Sequence, residues 1–185
     1  MEKNQTDRKN NLGKVHLYAG DGKGKTTAAV GLAVRAAGNG LNILFMQFLK
    51  AGKSGEINIL KQIPNIKILD TNPINKFVFA MNEQEKKETQ ISTKRYFTEA
   101  MQIIEKNQVD LLVMDEILGA ISTEIISETV ITQFLQAKPA HLEVVMTGRG
   151  PSQDLIELAD YYSEIKSKKH PYETEKLLAR QGIEY

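Results

Sequence analysis

Short apolar runs and segments with helical spacing alternate along the chain. The apolar runs predict five strands, at residues 14–19, 43–49, 66–69, 111–114 and 142–146, and a weaker pattern predicts a sixth at 161–165. Helical spacing predicts a long amphipathic helix from Glu83 to Lys106. Shorter helices are predicted at residues 26–38, 54–63, 154–159 and 173–179, the second of them with Ser54 as its N-cap.

This order of elements indicates the fold class. Strands alternate with helices, and the inner strands are apolar throughout instead of alternating between apolar and polar residues. Such strands are typical of a mostly parallel central sheet that helices cover on both faces. We therefore expect an α/β protein. A length of 185 residues suits a single domain, which we place at residues 14–185 after a flexible polar segment at 1–13.

Composition narrows the range of functions. The formal charge is +1, and proteins that bind nucleic acid broadly carry a clear basic excess, so we expect no nucleic-acid partner. The sequence has no cysteine, which excludes disulfides and thiolate metal sites, and its three histidines show no zinc spacing. No apolar stretch reaches the length of a membrane span. We expect a cytoplasmic protein.

The strongest chemical signal follows the first predicted strand. Residues 19–26 fit the Walker A spacing, with Ala19 in place of its first glycine, and their candidate phosphate-binding residues are Gly20, Asp21, Gly22, Lys23, Gly24, Lys25 and Thr26. Glycines let a phosphate chain approach the backbone, whose amides then point inward at the positive end of the following helix. The alternative is a glycine-rich turn with chance lysines. A dinucleotide-binding loop is excluded, because Lys25 stands where its third glycine would be.

A second signal ends the fourth predicted strand. Asp115 and Glu116 follow four apolar residues, as the carboxylates of a Walker B strand do. The carboxyl end of a central strand borders the ligand crevice of an open α/β sheet, and Mg²⁺ prefers oxygen ligands. We therefore expect Thr26, Asp115 and Glu116 to serve a metal ion. An acidic turn without a function is the alternative.

Three further segments have both a functional and a structural interpretation. Arg149, between Gly148 and Gly150, could bind phosphate oxygens or could be a surface arginine on a loop. The loop at residues 50–56 is basic and suits either a binding site or a solvated connector. Phe77 and Phe79 lie in a predicted loop, where the pattern alone favours a role in anchoring that loop to the core.

Taken together, these residues resemble a known enzyme family, the BtuR/CobA type of ATP:cob(I)alamin adenosyltransferases. The resemblance extends from about Val15 to Tyr185 and includes the segments GDGKGKTTAAVGLAVRAAGNG, QFLKAGKSGE, LLVMDE and TGRGPSQDLIELAD. The C-terminal segment SKKHPYETEKLLARQGIEY resembles the lysine-histidine stretch and the Gly-Ile-acid-Tyr ending of that family. Walker A spacing alone occurs in many families, whereas this combination of segments is specific.

The resemblance implies a RecA-like P-loop fold and a reaction. The 5′-deoxyadenosyl group of ATP passes to cobalt(I) of cobalamin or another corrinoid, and triphosphate is released. Gly20 to Thr27 would hold the triphosphate, with Lys25, Thr26, Glu116 and Arg149 as catalytic groups and Arg35 near the nucleotide. The resemblance also implies Mg²⁺ or Mn²⁺, a homodimer and a flavodoxin- or flavin-type reductant.

The same resemblance changes the interpretation of the two phenylalanines. Family members pack aromatic side chains beneath the corrin to remove its axial ligand, typically in a phenylalanine-x-tryptophan arrangement. Phe77-Val78-Phe79 matches that stretch with phenylalanine in place of tryptophan, so we expect Phe77 and Phe79 at the corrinoid.

Two alternatives to this function remain at the level of sequence. One is a P-loop kinase or ATPase, for which no base or water-positioning residue is identifiable by spacing. The other is a RecA-like nucleotide-binding regulatory module. The preferred corrinoid and the electron donor are not specified by the sequence.

Overall fold

A parallel sheet forms the centre of the protein. The computed structural model describes residues 11–50, 54–69, 76, 78–106 and 108–184. Its strands are β1 (Val15–Ala19), β2 (Ile43–Gln47), β3 (Ile66–Leu69), β4 (Leu111–Asp115), β5 (Glu143–Gly148) and β6 (Tyr161–Glu164). They lie in the order β3-β2-β4-β5-β1-β6, and every pair of neighbours is parallel. The predicted α/β class and parallel sheet are confirmed.

Helices connect these strands. They are α1 (Lys25–Gly38), α2 (Gly55–Leu60), α3 (Glu83–Glu105), α4 (Ile117–Ser122), α5 (Glu128–Ala137), α6 (Gln153–Leu158) and α7 (Pro171–Glu175), and a short 3-10 helix spans Val78–Ala80. A capping box starts α3: the Asn82 side chain accepts from the Glu85 N–H, and the Glu85 side chain accepts from the Asn82 N–H. Within the described residues, no helix combines the length and the apolar character that a membrane span requires.

Buried side chains cover both faces of the sheet. On one face, Ala29, Ala33 and Ala36 of α1 pack against Phe45 and other strand residues, and these small side chains let the helix lie close to the sheet. On the other face, aromatic and aliphatic residues of α3 to α6 pack against the sheet. All five residues of β4 are buried, whereas all four of β6 are exposed at the sheet edge. This burial explains why the inner strands are apolar throughout.

The structure corrects several predicted boundaries. Strand β2 ends at Gln47, two residues before the predicted end, because Leu49 has a φ of 54° and leaves the extended conformation. The last helix spans Pro171–Glu175 instead of residues 173–179, and it stops because Lys176 is left-handed, with a φ of 54°. The predicted flexible segment at 1–13 falls mostly on residues 1–10, which are outside the described residues.

The sequence patterns do not predict α4 or α5. Helix α4 has six residues, too few to show a helical period, and its face toward the sheet is buried. Helix α5 contains the β-branched run Thr129-Val130-Ile131-Thr132, which by itself favours a strand. Tertiary packing overrides that preference, since Ile131 and Leu135 are buried on one side of α5.

A glutamate joins the amino ends of β1 and β5. Oε2 of Glu143 accepts from the N–H groups of Gly13 and Lys14 at 2.6 and 2.8 Å, and Nε2 of His16 lies 2.6 Å from Oε1. The His16 ring also stacks on Tyr161 of β6, with centroids 4.6 Å apart. Burial acts to raise the pKa of Glu143, but the hydrogen bonds from these donors outweigh burial and hold the pKa below its ordinary value of 4.5.

We expect Glu143→Gln to destabilise the protein in a pH-dependent way. Because folding lowers the pKa of Glu143, its stabilising contribution is complete above the unfolded pKa and is lost as pH falls through the folded pKa. The variant should therefore be about 1 to 2 kcal/mol less stable near pH 7, and this difference in stability should narrow progressively as pH falls below about 4. Urea denaturation of the variant and the wild type from pH 3 to 7 measures this difference in stability. Glu99→Gln, at an exposed position of α3, is the control. A difference in stability that does not change with pH would contradict the stabilising role of the ionised Glu143 side chain.

Candidate functional site

The glycine-rich loop at the carboxyl end of β1 is held by the chain that follows β6. The Gly22 N–H donates to the Ile165 carbonyl at 2.8 Å, and Oδ1 of Asp21 accepts from the Ser167 N–H at 3.1 Å. Gly20 has a φ of 121°, and a Cβ added there would lie 2.3 Å from the Ile165 oxygen. Glycine at position 20 is thus required by both backbone conformation and space.

The loop ends at the first turn of α1, which is arranged to accept an anion. Gly24 is the N-cap, with a φ of 118° and no capping side chain, and the first turn contains no acidic residue. Its amides therefore present the positive end of the helix. Nζ of Lys25 donates to the Gly22 carbonyl at 2.7 Å, and only 8% of Lys25 is exposed. Burial, together with the charge of Arg149, lowers the pKa of Lys25.

Asp115, at the end of β4, is the most connected side chain of the site. It is fully buried. Its Oδ1 accepts from the hydroxyls of Thr26 at 2.8 Å and Thr147 at 2.7 Å. Its Oδ2 accepts from Nε2 of Gln47 at 3.2 Å and lies 3.2 Å from Nζ of Lys50. Asp115 therefore links the first turn of α1 with the carboxyl ends of β2 and β5.

Thr26 and Asp115 fit a magnesium-type ion. Their oxygens are hard ligands 2.8 Å apart, and Mg²⁺ is commonly held by one or two protein oxygens, substrate phosphates and water. Among the described residues, no group of three or more His, Asp or Glu side chains could hold a metal by itself. The site thus suits a metal that arrives with phosphate oxygens and does not resemble a cage made only of protein ligands.

Glu116 follows Asp115 in an unusual backbone conformation. Its φ is 61°, in the left-handed region, and its N–H donates to Oγ1 of Thr147 at 2.8 Å. Such conformations persist where the surrounding structure holds them, and they concentrate at functional sites. Burial and then the charge of Asp115 raise the pKa of Glu116, while Lys25, Lys50 and Arg149 oppose that rise. Glu116 therefore lies within the field of three cations.

Arg149 is exposed on the turn that follows β5. Its positive charge contributes to the pKa of Asp21, Lys25 and Glu116, so Arg149 lies near the glycine-rich loop and the end of β4. The turn starts at Gly148, where a Cβ would lie 2.6 Å from Cβ of Leu118. The structure thus brings the predicted residues of the loop, β4 and the 148–150 turn to one place at the carboxyl edge of the sheet.

Arg35 and Phe79 belong to parts of the chain other than those that form this cluster. Arg35 lies in the last turn of α1, ten residues after Lys25 and therefore about 15 Å along the helix axis. Phe79 is 88% exposed in the 3-10 helix after β3, so the interpretation of Phe79 as a core anchor is wrong. Phe77 and residues 51–53 of the basic loop lie outside the described residues.

Sequence reasoning missed two parts of the site. Gln47 ends β2 and contacts Asp115, and it could have been found because the carboxyl ends of parallel strands meet at one edge. The C-terminal segment contacts the loop through Glu184, whose Oε1 lies 2.9 Å from Nζ of Lys23. Hydrogen bonds from Arg180 and Lys23 lower the pKa of Glu184 to about 2. No local pattern signals a contact between residues so distant in sequence.

Comparisons with known proteins identify a family and relatives of this chain. Residues 11–185 match the family described as ATP:corrinoid adenosyltransferase BtuR/CobO/CobP. The chain is 30% identical to the corrinoid adenosyltransferase CobA of Salmonella typhimurium over 175 residues, which are 94% of this chain and 86% of that protein. It is 28% identical to the corrinoid adenosyltransferase of Pseudomonas aeruginosa over 177 residues, or 94% of this chain and 84% of that one.

A solved structure shares the fold. The cytoplasmic domain of EssC matches 94% of this chain with a TM-score of 0.52 and 17% sequence identity. The match covers 37% of that chain, so this chain spans about a third of its length. At this identity the likeness concerns the fold alone.

We expect Gly20→Ala to disrupt the loop. An alanine there would combine a positive φ with overlap on the Ile165 carbonyl, which should cost roughly 2 kcal/mol or more of stability and weaken ATP binding. Gly31→Ala is the matched control, since its Cβ would meet nothing within 4 Å in the middle of α1, and alanine favours a helix by about 1 kcal/mol. Thermal denaturation and calorimetric ATP titration measure both effects. Normal ATP affinity in Gly20→Ala would refute the required backbone geometry.

Proposed function

The chain belongs to the ATP:corrinoid adenosyltransferase family, and from this premise we propose a role for each group of the site. Its activity is the ATP-dependent adenosylation of corrinoids. We propose that cobalt(I) of the corrinoid attacks the ribose 5′-carbon, that the bond from this carbon to the triphosphate oxygen breaks, and that triphosphate leaves. The observation that carries the assignment of the site is the contact of Thr26 with buried Asp115 beside the glycine-rich loop.

We propose that residues 14–185 form one domain of the P-loop, RecA-like type. The glycine-rich loop connects a strand to a helix, as in P-loop proteins. The hydroxyl at the helix start contacts a carboxylate at the end of β4, and P-loop proteins use this pair to hold Mg²⁺.

The loop is proposed to hold the triphosphate. The backbone of residues 20–27 would supply amides, while Lys25 and Arg149 would supply positive charge to the departing group. In the structure Nζ of Lys25 donates to the Gly22 carbonyl, and Lys23 pairs with Glu184. Both ammonium groups therefore have a local acceptor that phosphate oxygens can replace.

Thr26 and Asp115, with Glu116 next to Asp115 in the chain, are proposed to serve Mg²⁺ or Mn²⁺. The bound metal would neutralise charge on the triphosphate as it leaves. Glu116, which lies in the field of Lys25 and Arg149, is proposed to orient these two cations before ATP binds. No general base is needed in this scheme, because cobalt(I) is itself the nucleophile and carries no proton to remove.

The corrinoid is proposed to bind on the β2–β3 side of the site. The segment that contains Phe77 and Phe79 follows the carboxyl end of β3, which neighbours β2 and its terminal Gln47. An aromatic side chain that is 88% exposed suits an apolar wall for a large planar ligand. We propose that Phe79, with Phe77, displaces the axial ligand of cobalt.

Three further proposals come from the family resemblance alone. They are a nucleotide contact for Arg35, a homodimer, and a flavodoxin- or flavin-type reductant for cobalt. The distance of Arg35 from Lys25 means that a contact with the nucleotide would lie away from the phosphates.

Lys25→Ala tests the role of the loop. We expect turnover to fall by about two orders of magnitude or more, because the variant loses a key positive charge on the leaving group. The assay combines ATP, Mg²⁺ and chemically reduced cobalamin, follows the spectral change of the new cobalt–carbon bond, and identifies the phosphate product. Lys67→Ala, at an exposed position of β3, should keep full activity. Release of ADP in place of inorganic triphosphate would contradict the proposed reaction.

Phe79→Ala separates ligand displacement from structure. We expect a large loss of activity when cobalt(II) must be reduced by a biological reductant, and a small loss from prereduced cobalt(I), because only the first route requires removal of the axial ligand. Ratios of the two rates in variant and wild type measure this. Equal losses on both routes would show that Phe79 has no special role in reduction.

A further inference from the structure

Lys50 occupies the outer side of the Asp115 carboxylate. Its Nζ lies 3.2 Å from Oδ2 of Asp115 and 3.1 Å from Oε1 of Glu56, and 28% of the Lys50 side chain is exposed. Nε2 of Gln47 donates to the same two carboxylates, at 3.2 and 3.4 Å. An ammonium group and an amide group thus bridge one fully buried acid and one partly exposed acid.

This arrangement leaves no open coordination position on Asp115. Two hydroxyls occupy Oδ1, and Lys50 and Gln47 occupy Oδ2. A carboxylate offers about four lone-pair positions in total, so all are filled. A divalent cation that approaches Asp115 would also meet the like charge of Lys50 a few ångströms away, in a place where water screens poorly.

Glu56 gives the ammonium group a second acceptor. Lys50 can release Oδ2 of Asp115 and still keep its charge paired with Glu56, the second residue of α2. The loss of one ion-pair partner therefore does not leave a partly buried lysine without a counter-ion, which would be costly. The chain at this point is also turned sharply, since Leu49 has a φ of 54°.

We propose that Lys50 is an exchangeable counter-ion of the metal-binding carboxylate, which the incoming metal displaces from Asp115 and Glu56 then retains. Lys50 and Glu56 thereby set how strongly the metal contributes to ATP binding. This proposal rests on the metal site proposed above for Thr26 and Asp115. It assigns a positioning role to two residues that do not themselves bind the metal.

The measurable quantity is the factor by which Mn²⁺ tightens ATP binding. It is obtained by calorimetric titration of the full chain with ATP in the absence of corrinoid, once with saturating Mn²⁺ and once with EDTA. A residue that only contacts phosphate, or only supports the fold, changes ATP affinity similarly under both conditions and leaves the factor unchanged. A counter-ion that competes with the metal changes the factor itself.

Four variants are expected to change this factor differently: one raises it, one lowers it and two leave it near the wild-type value. Lys50→Met should raise the factor by about tenfold, because it removes the competing like charge. Lys50→Arg, which keeps the charge, should leave it near the wild-type value. Glu56→Gln should lower it about threefold, because Lys50 then has Asp115 as its one remaining acidic partner among these contacts. Lys67→Met on β3 should leave it unchanged.

Asp115→Asn distinguishes failure of this proposal from failure of the metal site. If Asp115→Asn brings the factor close to one, the metal site stands, and an unchanged or lowered factor in Lys50→Met then overturns the role of Lys50 alone. If Asp115→Asn leaves the factor unchanged, the metal site and the role of Lys50 both fall. Thermal denaturation checks that each variant is folded. Should Lys50→Met be unfolded, Glu56→Gln decides: a lowered factor supports the proposal, and an unchanged or raised factor overturns it.

Discussion

The buried carboxylate of Asp115 is the constraint on which the geometry of the site depends. A carboxylate with no exposure to water is tolerated only when donors surround it, and here four donor side chains come from three different parts of the chain. Thr26 fixes the start of α1, Thr147 the end of β5, and Gln47 and Lys50 the end of β2. Pairing this one carboxylate thus aligns the elements that border the proposed ATP site.

The distribution of charge around this carboxylate suits an anionic substrate. Lys25 and Arg149 face the loop, while Asp115 and Glu116 lie beside them, so the site balances its own charge before ATP arrives. Burial lowers the pKa of Lys25 and raises the pKa of Glu116, because it removes water that would stabilise the charged form of each group. Triphosphate would bring negative charge to Lys25, and a divalent cation would bring positive charge to Glu116.

Contacts with distant segments of the chain, as well as its own glycines, determine the conformation of the glycine-rich loop. Backbone groups of residues 165–167 pack against Gly20 and Gly22, and Glu184 reaches Lys23 from the C-terminal segment. The loop therefore has a second wall, made of chain that follows the last strand of the sheet. Its conformation is held before substrate binds, which avoids part of the ordering cost of binding.

Local sequence was sufficient for the strands, the glycine-rich loop and the acidic end of β4. An apolar run indicates a buried strand, and the spacing of glycines indicates the conformation of a loop. Both signals are contained in a few residues that are adjacent in the sequence. Long-range contacts decided the rest. Helix α5 forms against its own strand preference, Phe79 is exposed where its pattern suggested a core residue, and Gln47, Lys50 and Glu184 reach the site from distant segments. Packing and charge pairing between such segments depend on the folded arrangement of the whole chain, so no short stretch of sequence encodes them.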